Sequence, residues 1–114
     1  MIATDAPLLP HQLKRIARRV PVGIARTGGI GHNGSGDIFI AFSTANRDAY
    51  AGNPSLASMR FLSNSAMDDL FEATAQATEE AILDSIIANE TMIGADGNTA
   101  IGIDHQRLQS LMRS

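Results

Sequence analysis

The 114-residue sequence has no cysteine, which rules out disulfides and thiolate chemistry and fits either redox compartment. It has no signal-like segment and no apolar run long enough to span a bilayer. A soluble protein with no membrane partner is therefore expected. Its expected location is cytoplasmic, with the periplasm left open. Excess positive charge is also missing. Nine Lys and Arg against twelve Asp and Glu leave a net charge of -3, which argues against nucleic acid as a partner. The three histidines, His11, His32 and His105, lie in separate segments with no ligand spacing, so no metal site is expected. No internal repeat or low-complexity segment is present.

What is there is ordinary globular material. A 44% hydrophobic share with charges of both signs separates the chain from disordered sequences. Its length allows one domain at most, residues 1–114. That length is close to the size at which missing partners matter for stability.

Met1 to Thr4 reads as the end of a strand, and Asp5 to Pro10, with two prolines, as a turn. Leu9, Leu13, Ile16, Ala17 and Val20 recur at helical spacing, with Pro10 near the first helical position and Pro21 as the expected stop. Lys14, Arg15, Arg18 and Arg19 form the other face, either a solvated surface or one that attracts an acidic partner. Val22 to Thr27 is expected as a strand, paired with a second strand over Asp37 to Thr44. In that second run Ile38, Ile40 and Phe42 share one face and Phe39 and Ala41 the other, which predicts burial on both sides.

Asn46 to Met59, punctuated by Gly52-Asn53-Pro54, reads as a surface loop carrying Tyr50, a subunit contact or a plain surface residue. Ser65 to about Glu90 is expected as a long helix, with Ser65 as N-cap and Asp68 and Asp69 in its first turn. Met67, Leu70, Phe71, Ala81 and Ile82 form its stripe. The small Thr74, Thr78 and Ser85 along it suggest close packing on a sheet. Leu83 and Ile87 fall on the opposite face and point to an interface between chains. Ala95 to Asn98 is a turn around Asp96-Gly97. Asp96, Asn98 and Asp104 do not fit a calcium loop, which needs glycine where Ile101 stands. Asp104 is expected to cap a last helix with Leu108, Leu111 and Met112 inward.

The chemistry-bearing stretch is Gly28 to Ala45, a glycine-rich loop running into an apolar segment. Ser35 and Asp37 flank Gly36 at the junction. In extended chain, side chains at i and i+2 share a face, so the hydroxyl and carboxylate point the same way and can relay a proton. The alternative is a turn serine and a strand-capping aspartate. Gly29, Gly31 and Gly34 spell G-x-G-x-x-G, but a dinucleotide loop must open a helix, and this one is read as opening a strand. The glycines are read instead as letting a substrate backbone come close.

The words Ala3-Thr4-Asp5-Ala6-Pro7-Leu8-Leu9-Pro10-His11-Gln12-Leu13, Arg26-Thr27-Gly28 and Ser35-Gly36-Asp37 with the run to Thr44 carry a resemblance. In this order and spacing the chain resembles the C-terminal (β) subunit of the DmpA-like aminopeptidases, the L-aminopeptidase/D-amidase-esterases and β-aminopeptidases. The resemblance implies an α/β fold, part of a four-layer αββα sandwich of the N-terminal-nucleophile-hydrolase type. It implies a precursor that cuts itself and exposes a serine or threonine nucleophile, whose own α-amino group, titrating at about 8, serves as base. The implied activity is release of N-terminal residues from peptides, amides or esters, without cofactor or metal. By the same resemblance Ser35 and Asp37 are catalytic, orienting the nucleophile and stabilising charge on its amine, and Gly34 and Gly36 bind substrate. Some relatives carry glutamate where Asp37 stands, one methylene longer. The family's nucleophile lies a few residues before the Ala-Thr-Asp strand, where this chain has only Met1 and Ile2. The chain is thus expected to be part of a larger aminopeptidase, inactive without its α-subunit and joined in a homo-oligomer. The alternative is a non-catalytic homologue that acts as a structural or binding module.

Overall fold

A computed structural model describes residues 1–50 and 55–113, with Tyr50 described through its backbone only. The Gly52-Asn53-Pro54 turn and both readings of the Tyr50 side chain lie outside the described residues.

Strand β1, Ile2–Thr4, leads through the Asp5–Leu9 turn into helix α1, Pro10–Ala17. Pro10 sits in the first turn, where its missing N–H costs nothing. Gln12 reaches back from the third helical position, and its Oε1 accepts from the Leu9 N–H at 2.9 Å. Its Nε2 donates to the Leu62 carbonyl at 2.8 Å, so this fully buried amide is satisfied at both ends. Sequence periodicity gave no hint of Gln12, because a polar residue on an apolar stripe is read as surface.

The next segment corrects the expected strand at Val22–Thr27. It is helix α2, Val20–Arg26. Pro21 lacks the N–H that would continue the first helix, and α1 ends at Ala17. The same proline then sits in the first turn of α2, where it is tolerated. The expected pairing of Val22–Thr27 with Asp37–Thr44 therefore does not form. Strand β2 is only Ala41–Ser43, and it pairs in parallel with β1 in the register Ile2–Ala41, Ala3–Phe42, Thr4–Ser43. Burial on both faces of the 37–44 run is not seen in this chain: Ile38, Ile40 and Phe42 are all exposed. A three-residue partner strand can order and cover only as much of the run as it spans.

The Asn46–Met59 loop contains a 3-10 turn, Arg47–Tyr50, with Ala49 buried. The Asn46 side chain pins residue 60 by accepting from its N–H at 2.9 Å and donating to its carbonyl at 3.0 Å.

Helix α3 runs Asp68–Ala88. Met67 rather than Ser65 is its N-cap, because Asn64–Ala66 forms a separate 3-10 turn ahead of it. Asp68 and Asp69 do occupy the first turn. Met67, Leu8 and Ile16 form the buried centre of the core, with Ile2, Leu13, Ala41, Leu62, Leu70 and Phe71 packed around them. Ala81 is exposed rather than part of the stripe. The close packing at Thr78 is made with α2, where Gly23 is buried, while Thr74 lines a cavity with Ile2, Ala3 and Thr4 of β1. Thr74 and Thr78 donate their hydroxyls to the Leu70 and Thr74 carbonyls at 2.6 and 2.7 Å, so no polar atom is orphaned under α2.

Strands β3, Met92–Ile93, and β4, Thr99–Ala100, form a short antiparallel pair around the expected Asp96-Gly97 turn. Asp96 and Gly97 take φ of 57° and 77° there. Helix α4, His105–Met112, is capped as expected, with Asp104 Oδ1 accepting from the Arg107 N–H at 3.0 Å. Only Leu108 is partly covered. Leu111 and Met112 are exposed, contrary to the inward placement expected.

Candidate functional site

The loop after α2 is shaped by how that helix ends. The Gly28 N–H donates to the Ala25 carbonyl and the Gly29 N–H to the Ile24 carbonyl, at 3.1 and 3.0 Å. With Gly28 at φ 97°, this is a Schellman cap. A Cβ at position 29 would fall 2.5 Å from Ile24 Cγ2, so the chain can turn back across Ile24 only as glycine. Arg26-Thr27-Gly28-Gly29 was thus a helix stop signal, and the loop follows a helix rather than a strand. The G-x-G-x-x-G spacing has neither the strand before it nor the helix after it that a dinucleotide site requires.

Further on, the Ser35 N–H donates to the His32 carbonyl at 2.8 Å and closes a turn. Ser35 and Asp37 then face the same way, as their spacing predicts. Ser35 Oγ donates to Asp37 Oδ2 at 2.6 Å, a short charge-assisted hydrogen bond. Both residues are exposed. A Cβ at Gly34 or Gly36 would meet nothing within 4 Å, so neither glycine is required by crowding from this chain. The left-handed backbone of the loop lies at Gly28 and Gly31 instead.

The pair opens onto a groove of about 400 Å³. Pro21, Ile24 and Ala25 of α2, Ile30 of the loop and Phe39 form its walls, and Ser35 and Asp37 are its only polar side chains. Ile24 and Phe39 were not singled out as site residues from the sequence. The expected pairing put Val22–Thr27 beside Asp37–Thr44, but as a sheet neighbour rather than as a helix lining a groove. Chemically, the arrangement offers a hydroxyl whose proton is held by a carboxylate, beside an apolar surface.

The other polar features lie away from it. Arg15 and Arg19 stack on the Phe71 ring at 4.9 and 4.3 Å, and Arg15 Nη1 donates to Asn64 Oδ1 at 2.9 Å. Half of the basic face is thus engaged in internal packing. His105 Nε2 meets the Ile87 carbonyl at 2.8 Å and ties α4 to the end of α3. Among the described residues, no group of three acidic or histidine side chains is placed to hold a metal, and no helix is long and apolar enough to cross a membrane.

Residues 1–100 match peptidase family S58. The chain is 44% identical over 113 residues to the beta-peptidyl aminopeptidase BapA of Sphingosinicella microcystinivorans, covering 99% of this chain and 28% of that protein. Among solved structures, the L-aminopeptidase D-Ala-esterase/amidase of Ochrobactrum anthropi, described as a variant of the Ntn hydrolase fold, superposes with a TM-score of 0.84. It is 42% identical, over 96% of this chain and 31% of that one. A Burkholderia beta-aminopeptidase superposes with a TM-score of 0.81 at 38% identity, over 96% of this chain and 33% of that one. The chain therefore spans about 30% of the length of the relatives it matches. Its mixed helices and strands are a portion of the Ntn-hydrolase-type fold. On both sequence and structure, the chain belongs to peptidase family S58.

Proposed function

We propose that this chain is the C-terminal portion of a self-processing serine aminopeptidase or amidase-esterase. In that enzyme Ser35 and Asp37 handle protons beside the nucleophile. The observation that carries the reading is the 2.6 Å hydrogen bond from Ser35 Oγ to Asp37 Oδ2 in a chain of this family. Asp37 fixes the direction of the Ser35 proton, and its own N–H donates to Ser35 Oγ at 3.4 Å, which leaves one lone pair of that oxygen to orient a neighbouring nucleophile. The same carboxylate offers negative charge to an amine, the form in which an N-terminal nucleophile carries its own base. The open space around Gly34 and Gly36 leaves room for a peptide or amide substrate backbone to pass close to the pair.

On this reading the isolated chain is inactive. Ser35 is internal and exposed, its side-chain partner is a carboxylate rather than a histidine, and its only hydrogen bond with His32 is from its backbone N–H to the His32 carbonyl, not to the imidazole. Activity needs the remaining segment that relatives possess, assembled with this one, and the working form is a homo-oligomer.

The test is turnover of aminoacyl p-nitroanilides by the isolated chain and by the full-length protein that carries it. Background rates from the first and activity from the second are expected. Ser35→Ala in the full-length protein should lower kcat by about 10²-fold or more. A folded full-length protein with no turnover would favour a binding module instead. Turnover by the isolated chain that Ser35→Ala abolishes would make Ser35 itself the nucleophile.

A further inference from the structure

We infer that Asn33 is a site of spontaneous covalent modification, where the side chain condenses with the following backbone nitrogen and disables the neighbouring Ser35–Asp37 pair. The loss of activity rests on the reading of that pair given above, whereas the chemistry at Asn33 does not.

Asn33 and Gly34 form the tip of the turn that the Ser35 N–H closes onto the His32 carbonyl at 2.8 Å. Ring closure needs a free backbone nitrogen, an open approach to it and an unrestrained side-chain amide. All three are present. The Gly34 N–H donates to no carbonyl, and both residues are exposed. A Cβ at position 34 would meet nothing within 4 Å, so no neighbouring group screens the nitrogen. Among the described residues the Asn33 side chain makes no hydrogen bond.

The other asparagines lack this combination. Asn46 is held to residue 60 through both ends of its amide, Asn64 accepts from Arg15, and Asn98 Nδ2 donates to the Ala95 carbonyl at 2.9 Å. None of these, nor Asn89, precedes a glycine, and Asn53 precedes Pro54, which has no N–H to give up. Asp96 does precede Gly97, but the hairpin closes around it. There the Gly94 N–H donates to the Asn98 carbonyl at 2.7 Å and the Asn98 N–H to the Ala95 carbonyl at 3.1 Å. A carboxylate also parts with oxygen less readily than an amide parts with ammonia.

In the reaction the Gly34 nitrogen bonds to Asn33 Cγ, the Cγ–Nδ2 bond breaks, and Nδ2 leaves as ammonia with the Gly34 proton. Water then opens the five-membered imide. Opening at the side-chain carbonyl leaves aspartate, and opening at the backbone carbonyl leaves isoaspartate, with the main chain running through Cβ. Water is the only co-reactant, and nothing is oxidised or reduced. Either product puts a new negative charge two residues before Ser35, where it competes with Asp37 for an amine or a proton. Isoaspartate also lengthens the main chain by one methylene inside the turn that sets Ser35.

The experiment holds the full-length protein in warm, mildly alkaline buffer made with water enriched in the heavy oxygen isotope. Samples are read by peptide mass and by turnover of an aminoacyl p-nitroanilide. The peptide spanning Asn33 should exchange its amide nitrogen for one heavy oxygen sooner than any other asparagine peptide, and should separate into isoaspartyl and aspartyl forms. Turnover should fall in proportion to the modified fraction. Gly34→Ala should slow the mass change severalfold, because a Cβ shields the nitrogen while the site has both the space and a backbone angle that alanine accepts. Asn33→Gln keeps an amide but closes a ring far more slowly, so it should hold its own starting rate throughout.

An Asn33 amide that outlasts those of Asn46 and Asn64 overturns the inference, since the rest of the enzyme then covers or holds the turn. Complete modification with turnover unchanged also overturns it, provided Ser35→Ala abolishes turnover in the same preparation. If Ser35→Ala leaves turnover intact, the reading of the pair has failed instead, and the mass change at Asn33 alone decides whether the modification site stands.

Discussion

Gly23 of α2 lies directly against Thr78 of α3: a Cβ at position 23 would fall 2.5 Å from Thr78 Cβ and 2.5 Å from the Ala75 carbonyl oxygen. Glycine is a poor helix former, about 1 kcal/mol worse than alanine in a helix interior. At an open position Gly23→Ala would therefore stabilise. Here the contact is with backbone and a branched Cβ, neither of which can swing away, so the sign reverses. A net loss of about 1–3 kcal/mol is expected, the usual cost of overpacking. Denaturant unfolding of Gly23→Ala checks it, and a raised midpoint would show that the two helices are not in this contact. Arg26 also pairs with Glu79 across the same helices at 3.2 Å, but the two side chains are 42% and 35% exposed and screened by solvent, so little of the α2–α3 stability comes from charge.

Phe42 tests whether a further segment covers β2 in the full-length protein. Periodicity predicts a strand buried on both faces, yet Phe42 is 41% exposed. In the isolated chain Phe42→Ala should therefore cost less than the 3–5 kcal/mol or so of a fully buried phenylalanine. In the full-length protein the same substitution should approach that larger value, if the missing segment covers β2. Paired unfolding measurements on the two forms decide. Equal, small losses in both would mean that β2 stays at the surface of the complete enzyme.

The sequence was most readable where one local signal had one meaning. Pro10 opening α1, the acidic first turn of α3, the Asp104 cap and the Asp96-Gly97 turn all stand as expected. Ser35 and Asp37 do meet, but outside any strand: the Ser35 N–H closes a turn onto the His32 carbonyl and the Asp37 N–H donates to Ser35 Oγ, so a local turn rather than the expected strand brings the two side chains together. Pro21 failed because proline both ends a helix and opens one. Val22 and Ile24, on one face of an extended run, then favoured a strand, and the Thr27-Gly28-Gly29 helix stop was read as a strand end. That single error made α2 a sheet neighbour instead of a helix beside Ser35. The exposed runs at 38–42 and in α4 were unreadable for a different reason. Their apolar residues are exposed in the described structure, so no contact within it accounts for the pattern.

Leu83 and Ile87 lie on the outer face of α3, 48% and 47% exposed, beside Glu80 and Asp84. Two aliphatic side chains on an otherwise acidic face are the residues expected at the contact between copies. The double change Leu83→Glu/Ile87→Glu should leave folding nearly unchanged, because neither residue is in the core cluster. It should shift sedimentation of the full-length protein to a smaller assembly. An unchanged mass would remove this face from the interface.

Asp37 can act through its charge or merely as a hydrogen-bond acceptor, and one substitution tells them apart. In Asp37→Asn the side-chain oxygen can still accept from Ser35 Oγ at the observed 2.6 Å, so the Ser35 proton stays directed. What disappears is the negative charge next to the nucleophile's amine. If charge is the working property, kcat of the full-length enzyme should fall by about 10²-fold or more, while KM changes little, since the loss appears only in the reacting state. Asp37→Glu keeps the charge and lengthens the reach by one methylene, so it should retain most of the activity. Steady-state rates on one aminoacyl p-nitroanilide give both values. If Asp37→Asn is as active as the parent while Ser35→Ala is not, the carboxylate is only a holder for the hydroxyl. Stabilisation of the amine must then come from another part of the enzyme.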